Sequence, residues 1–78
     1  MALKELIKAI AVELVDHPEL VEVTEIATEQ NHVIELRVAK DDIGKVIGKE
    51  GRTAQSMRTI LAAMSTKSGK RAHLDIVD

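Results

Sequence analysis

The sequence predicts an α+β fold: a two-layer sandwich in which one three-stranded sheet carries three helices on one face. Three observations predict it. Apolar residues recur at helical spacing near the N-terminus and on both sides of a glycine turn at Gly48 and Gly51. Runs of alternating or β-branched residues supply three strands, two adjacent and one at the C-terminus. The element order is therefore α-β-β-α-α-β. The last strand follows helices rather than a hairpin turn, so the sheet is expected to be mixed.

Residues 2–16 read as an amphipathic helix. Leu3, Leu6, Ile7, Ile10, Ala11, Leu14 and Val15 share one face, and Lys4, Glu5, Lys8 and Glu13 lie elsewhere. Pro18 disfavours a helical His17, so the helix should stop near Asp16. Residues 20–28 are rich in β-branched side chains and read as a strand, without a clean inner face. Glu29-Gln30-Asn31-His32 suits a hairpin connection, where Asn31 tolerates a left-handed backbone. Residues 33–39 form a clearer strand, with Ile34, Leu36 and Val38 opposite Glu35 and Arg37.

Asp41 or Asp42 can cap the next helix, a short one over about residues 42–47. The glycine turn follows, and then a helix over about 52–65 with Ala54, Met57, Ile60, Leu61 and Met64 on one face. Met57 and Met64 are expected in the core. Residues 65–70 read as a polar, basic loop. Residues 71–77 read as the last strand, with Ala72, Leu74 and Ile76 opposite Arg71, His73 and Asp75.

Composition bounds the function. The 78 residues are expected to form one domain spanning 1–78. Cysteine is absent and His17, His32 and His73 are scattered singly, so neither a disulfide nor a metal site is expected. No apolar stretch has the length of a membrane helix, and the acidic N-terminus is unlike a signal peptide. A soluble, cytoplasmic protein is expected. Charge is segregated: residues 1–39 carry three Lys/Arg and eight Asp/Glu, whereas residues 40–78 carry eight and five. The basic half holds the glycine turn. With no Phe, Tyr or Trp, base stacking on aromatic rings is excluded, which leaves aliphatic walls, backbone groups and Lys/Arg for any nucleic-acid contact.

The turn itself reads Ile43-Gly44-Lys45-Val46-Ile47-Gly48-Lys49-Glu50-Gly51-Arg52-Thr53. Glycine reaches positive φ and lets another backbone come close. The helix beginning after Gly51 has unpaired N–H groups and a dipole that favours an anion. Lys45, Lys49 and Arg52 lie within a turn of that point, an arrangement suited to phosphodiester groups. Spacing alone is equally that of a plain helix–turn–helix corner, because G-x-x-G is a weak pattern. A P-loop is excluded: three residues, not four, separate Gly44 from Gly48, and Glu50 follows the lysine. No nucleophile–base or carboxylate pair stands out, so no enzymatic activity and no cofactor is expected.

Val46-Ile47-Gly48-Lys49-Glu50-Gly51-Arg52 resembles the signature of the KH RNA-binding domain, and the element order is that of the bacterial, type II version. Asp16-His17-Pro18, the stretch Gly44 to Ala54 and the ending Gly69-Lys70-Arg71-Ala72-His73-Leu74 are similar to the small KH proteins of the KhpA family. That resemblance covers essentially the whole chain. It implies that Gly48, Lys49, Glu50 and Gly51 clamp the backbone of about four single-stranded nucleotides. Ile43, Gly44 and Ile47 would line one groove wall, with Arg71 and His73 near the opposite side. Lys45, Arg52, Lys67, Lys70 and Arg71 are the candidate cationic contacts. Arg58, six residues beyond Arg52, falls on another face and is expected at the surface or in a dimer contact.

The resemblance further implies a larger KH partner of the KhpB or Jag type, or a homodimer. It implies a role as an RNA chaperone with effects on cell-wall synthesis and cell length. Two departures point to modest affinity: Ala54 stands where many KH domains carry a large aliphatic residue, and Glu50 partly offsets Lys49. The competing class is a protein-interaction module with little RNA affinity of its own.

Overall fold

Strand β2 (Asn31–Arg37) is the middle of the sheet. On one side β1 (Glu22–Ala27) runs antiparallel to it, and on the other β3 (Arg71–Val77) runs parallel. The computed structural model describes residues 3–69 and 71–78; Met1, Ala2 and Lys70 lie outside the described residues. The chain supplies three α-helices, α1 (Leu3–Leu14), α2 (Ile43–Ile47) and α3 (Arg52–Ser68), in the order α-β-β-α-α-β. The mixed sheet has the expected cause: a tight hairpin joins β1 to β2, and a helical crossover carries the chain from β2 to β3.

The register sorts side chains by face. Val23, Leu36 and Ile76 share one rung, and Ile34 faces Leu74 on another. These residues turn toward the helices, and Thr24, Glu35 and Asp75 fall on the opposite side. Ile7 and Ala11 of α1, Val46 of α2, and Met57 and Leu61 of α3 complete the core. Burying each large aliphatic side chain contributes about 1.5–3 kcal/mol. Aliphatic packing alone therefore builds this core.

Several boundaries move. Helix α1 ends at Leu14, two residues before the expected Asp16, and leaves Leu14 exposed. A 3-10 turn at Pro18–Leu20 follows, so β1 starts at Glu22 rather than at residue 20. The hairpin is tighter than expected. The Thr28 N–H donates to the Asn31 carbonyl at 2.8 Å, and the Asn31 N–H to Thr28 Oγ1 at 3.0 Å. Asn31 therefore already belongs to β2, and no left-handed residue is needed at that position. Strand β2 correspondingly ends at Arg37, although Val38 beyond it stays buried.

The largest difference is in α3. Residues 65–68, expected in a loop, continue the helix to Ser68. Thr66 satisfies its hydroxyl on the Ala62 carbonyl, 3.1 Å away, so its polarity is compatible with a helix. Gly69, at φ 78°, stops the helix in the left-handed conformation, and its N–H bonds to the Ser65 carbonyl.

Asp42 does not cap α2 through its side chain. Its carboxylate is fully buried and reaches back to the end of α1. It accepts the Asp16 N–H at 3.2 Å and the His17 N–H at 3.0 Å. Lys45 closes the cluster, with Nζ 3.1 Å from Asp16 and 3.6 Å from Asp42. These amides lose their helical acceptors where α1 stops, and Asp42 replaces them. Burial pushes the Asp42 carboxyl up, but the two N–H bonds together with His17 and Lys45 outweigh it and hold it below the usual 3.8. The bond to Asp16 and its charge, with help from Asp42, raise Lys45 above 10.5.

Because the Asp42 carboxyl is lowered on folding, its contribution to stability is complete above pH 3.8 and is lost as pH falls through the lower folded value. Thermal melts should therefore show an acid-side drop that Asp42→Asn reduces. At neutral pH Asp42→Ala should lower Tm by about 10 °C. Asp42→Asn, which keeps one acceptor oxygen, should lower it less. Equal Tm values for both variants and the parent would contradict this role.

Candidate nucleic-acid interface

Helix α2 is only five residues long, and Gly48 breaks it. Gly48 has φ 78° and ψ 172°, a region essentially confined to glycine. A Cβ there would overlap the Thr53 side chain and come within 2.9 Å of the Thr53 nitrogen. Thr53 belongs to the first turn of α3, so the missing side chain lets the two helices fold against each other. Gly51, at φ 75° and ψ 12°, is left-handed too, but a Cβ there would meet nothing within 4 Å. The two glycines thus serve different needs: close approach at Gly48, conformation alone at Gly51.

Between them runs a single 3-10 turn, Lys49–Gly51. Its internal bonds occupy part of the expected anion site. The Gly51 N–H donates to the Gly48 carbonyl at 3.1 Å, and the Arg52 N–H to the Lys49 carbonyl. The leading N–H groups, those of Lys49 and Glu50, precede the first bond of that turn. They replace the N–H groups of α3 as the free positions. Glu50 itself holds φ 57°, the left-handed conformation, and is the one non-glycine residue to do so among the described residues.

The cations divide into three groups. Lys49 is exposed and makes no ion pair among the described residues. Arg52 is exposed, but its Nη2 lies 3.3 Å from Glu50 Oε2. Glu50 thus offsets Arg52, where the sequence pointed to Lys49. Both side chains are mostly in water, so the pair is weak and salt-sensitive. Lys45 is engaged by Asp16 and Asp42, on the side of α2 that faces α1.

A groove of about 410 Å³ opens beside the turn. Ile47, Gly51, Ala54 and Arg58 line one side, and Asp75, Ile76 and Val77 of β3 the other. Of the residues expected in a groove wall, Ile47 lies here. Ile43 is half-buried against the core, and Gly44 is exposed with open space around it. Arg71 and His73 alternate onto the sheet face away from the helices, and His73 Nε2 lies 3.4 Å from Asn31 Oδ1 there. Lys67 sits in the last turn of α3, and Lys70 is outside the described residues.

Arg58 is exposed, as expected, but it also belongs to the groove, which reasoning from sequence missed. Its Nη2 donates to the Leu74 carbonyl at 3.3 Å, and its side chain lines the groove. Measured from Arg52 it falls on another face. Measured from Gly51 and Ala54, at spacings of seven and four residues, it shares theirs. The small side chain of Ala54 leaves room for it.

The different needs of the two glycines are testable by thermal unfolding. Gly48→Ala should destabilise the protein by at least 2 kcal/mol, through both strain and overlap with Thr53. Gly51→Asn should cost less than about 1 kcal/mol, because asparagine tolerates the left-handed region and nothing obstructs it. Similar losses for both would show that conformation alone governs the turn.

Comparison with known proteins agrees with this geometry. A family model described as KhpA/KhpB, KH domain, matches residues 4–76. The protein named RNA-binding protein KhpA in Caldanaerobacter subterraneus subsp. tengcongensis is 52% identical over 73 residues, covering 94% of this chain and 97% of its own length. The protein of the same name in Aquifex aeolicus is 52% identical over 77 residues, covering 99% and 98%. That of Halalkalibacterium halodurans is 49% identical over 76 residues, covering 97% and 100%. No solved structure matches. The chain belongs to the KhpA/KhpB family of KH domains.

Proposed function

We propose that this protein binds single-stranded RNA without catalysing a reaction, as one KH domain over its length. The observation that carries the reading is the exposed 3-10 turn. It offers the Lys49 and Glu50 N–H groups and the Lys49 ammonium on one side of an apolar groove. The phosphodiester backbone lies along Gly48, Lys49, Glu50, Gly51 and Arg52, and bases enter the groove beside Ile47. Relatives named as RNA-binding proteins support the same ligand. Arg71 would reach only an RNA that continues past the groove toward the far face of the sheet, Lys70 is a candidate contact from its place in the sequence alone, and Ile43, Gly44 and Lys45 support the turn from behind.

Family membership further supports a cytoplasmic RNA chaperone or post-transcriptional regulator that works with a larger, KhpB/Jag-like KH protein or a second copy of itself. Effects on cell-wall synthesis and cell length would follow through the transcripts bound. Two clamps on one strand would raise avidity without any new contact. One observation favours the second reading, a protein-interaction module: Ile60 of α3 stands 39% exposed. Sedimentation without RNA separates the two, because a tight dimer indifferent to RNA belongs to the second.

In fluorescence anisotropy with a short labelled RNA, the double change Lys49→Asp and Glu50→Asp should weaken binding at least tenfold while the fold persists. Glu50→Gln should tighten it several-fold by releasing Arg52 to the phosphates. The parent's log–log salt slope should fall by about 0.7 per phosphate contacted. Binding unchanged by the double change would remove the clamp.

A further inference from the structure

The sheet has two outer edges. That of β3 lies beside the groove, where Arg58 of α3 already bonds to the Leu74 carbonyl. That of β1 lies on the opposite side of the sheet. Which main-chain groups β1 leaves open follows from the register, because successive residues of a strand direct their N–H and C=O to alternate sides. The Arg71 N–H bonds to the Gln30 carbonyl, and the Val38 N–H to the Val77 carbonyl, so the even-numbered residues of β2 address β3. Its odd-numbered residues therefore address β1, where their partners are Glu22, Thr24 and Ile26. The bond from the Thr28 N–H to the Asn31 carbonyl closes the same series. Val23, Glu25 and Ala27 are left to direct their N–H and C=O groups outward. Among the described residues these six groups have no partner.

An open strand edge pairs with other chains unless something blocks it, commonly a lysine, a proline or a bulge. β1 has none of these. Its register with β2 runs unbroken from Glu22 to Ala27, and its six residues include neither Lys nor Pro. All of them except Val23 are exposed. What the edge does carry is negative charge: Glu22 on the far face and Glu25 on the face toward the helices. That charge decides what can pair there. A second copy, related by a two-fold axis, uses all six groups when Val23 stands against Ala27, which sets Glu25 against its own counterpart. Like charges directly opposite each other destabilise a strand pair. A strand with a cation at that point gains instead. The surroundings supply no spare cation. From Ala9 to Leu36 the chain holds seven Asp/Glu and no Lys or Arg. Arg37, across from Glu22, is turned to Glu35 and to the Asp78 carbonyl. Glu25 has only His32 beside it, with Nε2 at 3.5 Å.

We infer that the outer edge of β1 receives an extended, lysine- or arginine-bearing segment of a partner protein as a fourth strand. Main-chain bonds to Val23, Glu25 and Ala27 supply the affinity, and the side chains opposite β1 supply the selection. An antiparallel segment meets Ile26, Glu25, Thr24, Val23 and Glu22 in that order. Ile26 is 51% exposed on the far face, so an aliphatic residue opposite it removes apolar surface from water. Cations fit opposite Glu25 and Glu22, and a β-branched or small residue fits opposite Thr24 and Val23. The matching run is therefore aliphatic, basic, neutral, neutral, basic. This surface is separate from the glycine turn and the groove, so it remains open while they are occupied.

The test is an amide NMR titration of the full, isotopically labelled chain with a blocked synthetic peptide containing the run valine-lysine-threonine-valine-lysine. In the free protein the amides of Val23, Glu25 and Ala27 should exchange with solvent faster than those of Thr24 and Ile26, which bond to β2. The peptide should shift and protect those three and leave Gly48 and Lys49 unmoved. A matched peptide with glutamate in place of lysine should not bind. Glu25→Lys should weaken the basic peptide roughly fivefold or more. Should that variant lose its fold by circular dichroism, the ligand provides the same test: methylating the main-chain nitrogen of the lysine opposite Glu25 keeps the charge, removes the donor and should abolish protection at Glu25. Basic-peptide binding that survives this methylation, with the three amides still unprotected, overturns strand addition. Equal binding of the glutamate peptide overturns the choice of a basic partner. Protection that rises with protein concentration alone assigns the edge to a second copy and overturns the proposed occupant. Silence of the three amides toward the basic peptide overturns the docking edge itself. RNA binding stands or falls independently of all these outcomes.

Discussion

The site depends on the absence of one carbon atom. With no Cβ at Gly48, the chain leaves α2 and meets the first turn of α3 at Thr53 within ordinary atomic contact. That approach sets the angle between two short elements, exposes the Lys49–Gly51 turn and leaves the groove open beside β3. A helix of five residues has little stability of its own. Its position is held instead by Val46 in the core and by Asp42 and Lys45, which tie its start to the end of α1. Structure and function meet in these few residues: the scaffold end of α2 is buried and charge-compensated, and its other end is bare.

Charge follows the same division. Simple proximity in sequence makes Lys45, Lys49 and Arg52 equivalent. In space they are not, because Lys45 compensates two carboxylates, Arg52 shares a weak surface pair and Lys49 alone stands free of an ion pair among the described residues. A clamp with so few free cations gains little affinity from charge, and the groove must add the rest. The lack of aromatic rings sharpens this point, since no ring of the protein can stack on a base. Aliphatic walls and main-chain groups on the edge of β3 are what the chain has left.

Much of the fold was legible in the sequence. The alternation in β2 and β3, the helical stripe of α1 and the glycine turn are local patterns, and each produced the element it suggested. What was not legible has physical causes. Residues 65–68 look like a loop by composition, yet Thr66 places its hydroxyl on the Ala62 carbonyl and Lys67 is exposed, both on an extended α3 that Gly69 ends. The role of Asp42 was hidden because its partners lie 25 and 26 residues away, so a local capping rule assigned it to the wrong helix. Arg58 was expected at the surface and is there, but counting from Arg52 instead of from Gly51 and Ala54 hid its place in the groove. The wall of Arg71 and His73 was an expectation from the resemblance, although the alternation in β3 already set both opposite Ala72, Leu74 and Ile76, the side that packs on the helices.

The central claim is that the bend between α2 and α3 receives the backbone of RNA while the β3 edge receives a base. Amide chemical shifts of the isotopically labelled protein, followed during titration with a single-stranded RNA octamer, test it most directly. The account predicts the largest shifts at Gly48, Lys49, Glu50 and Ile76, with little change at Thr24, Glu35 and His73 on the far face of the sheet. Shifts concentrated on that far face, with the bend silent, would contradict it.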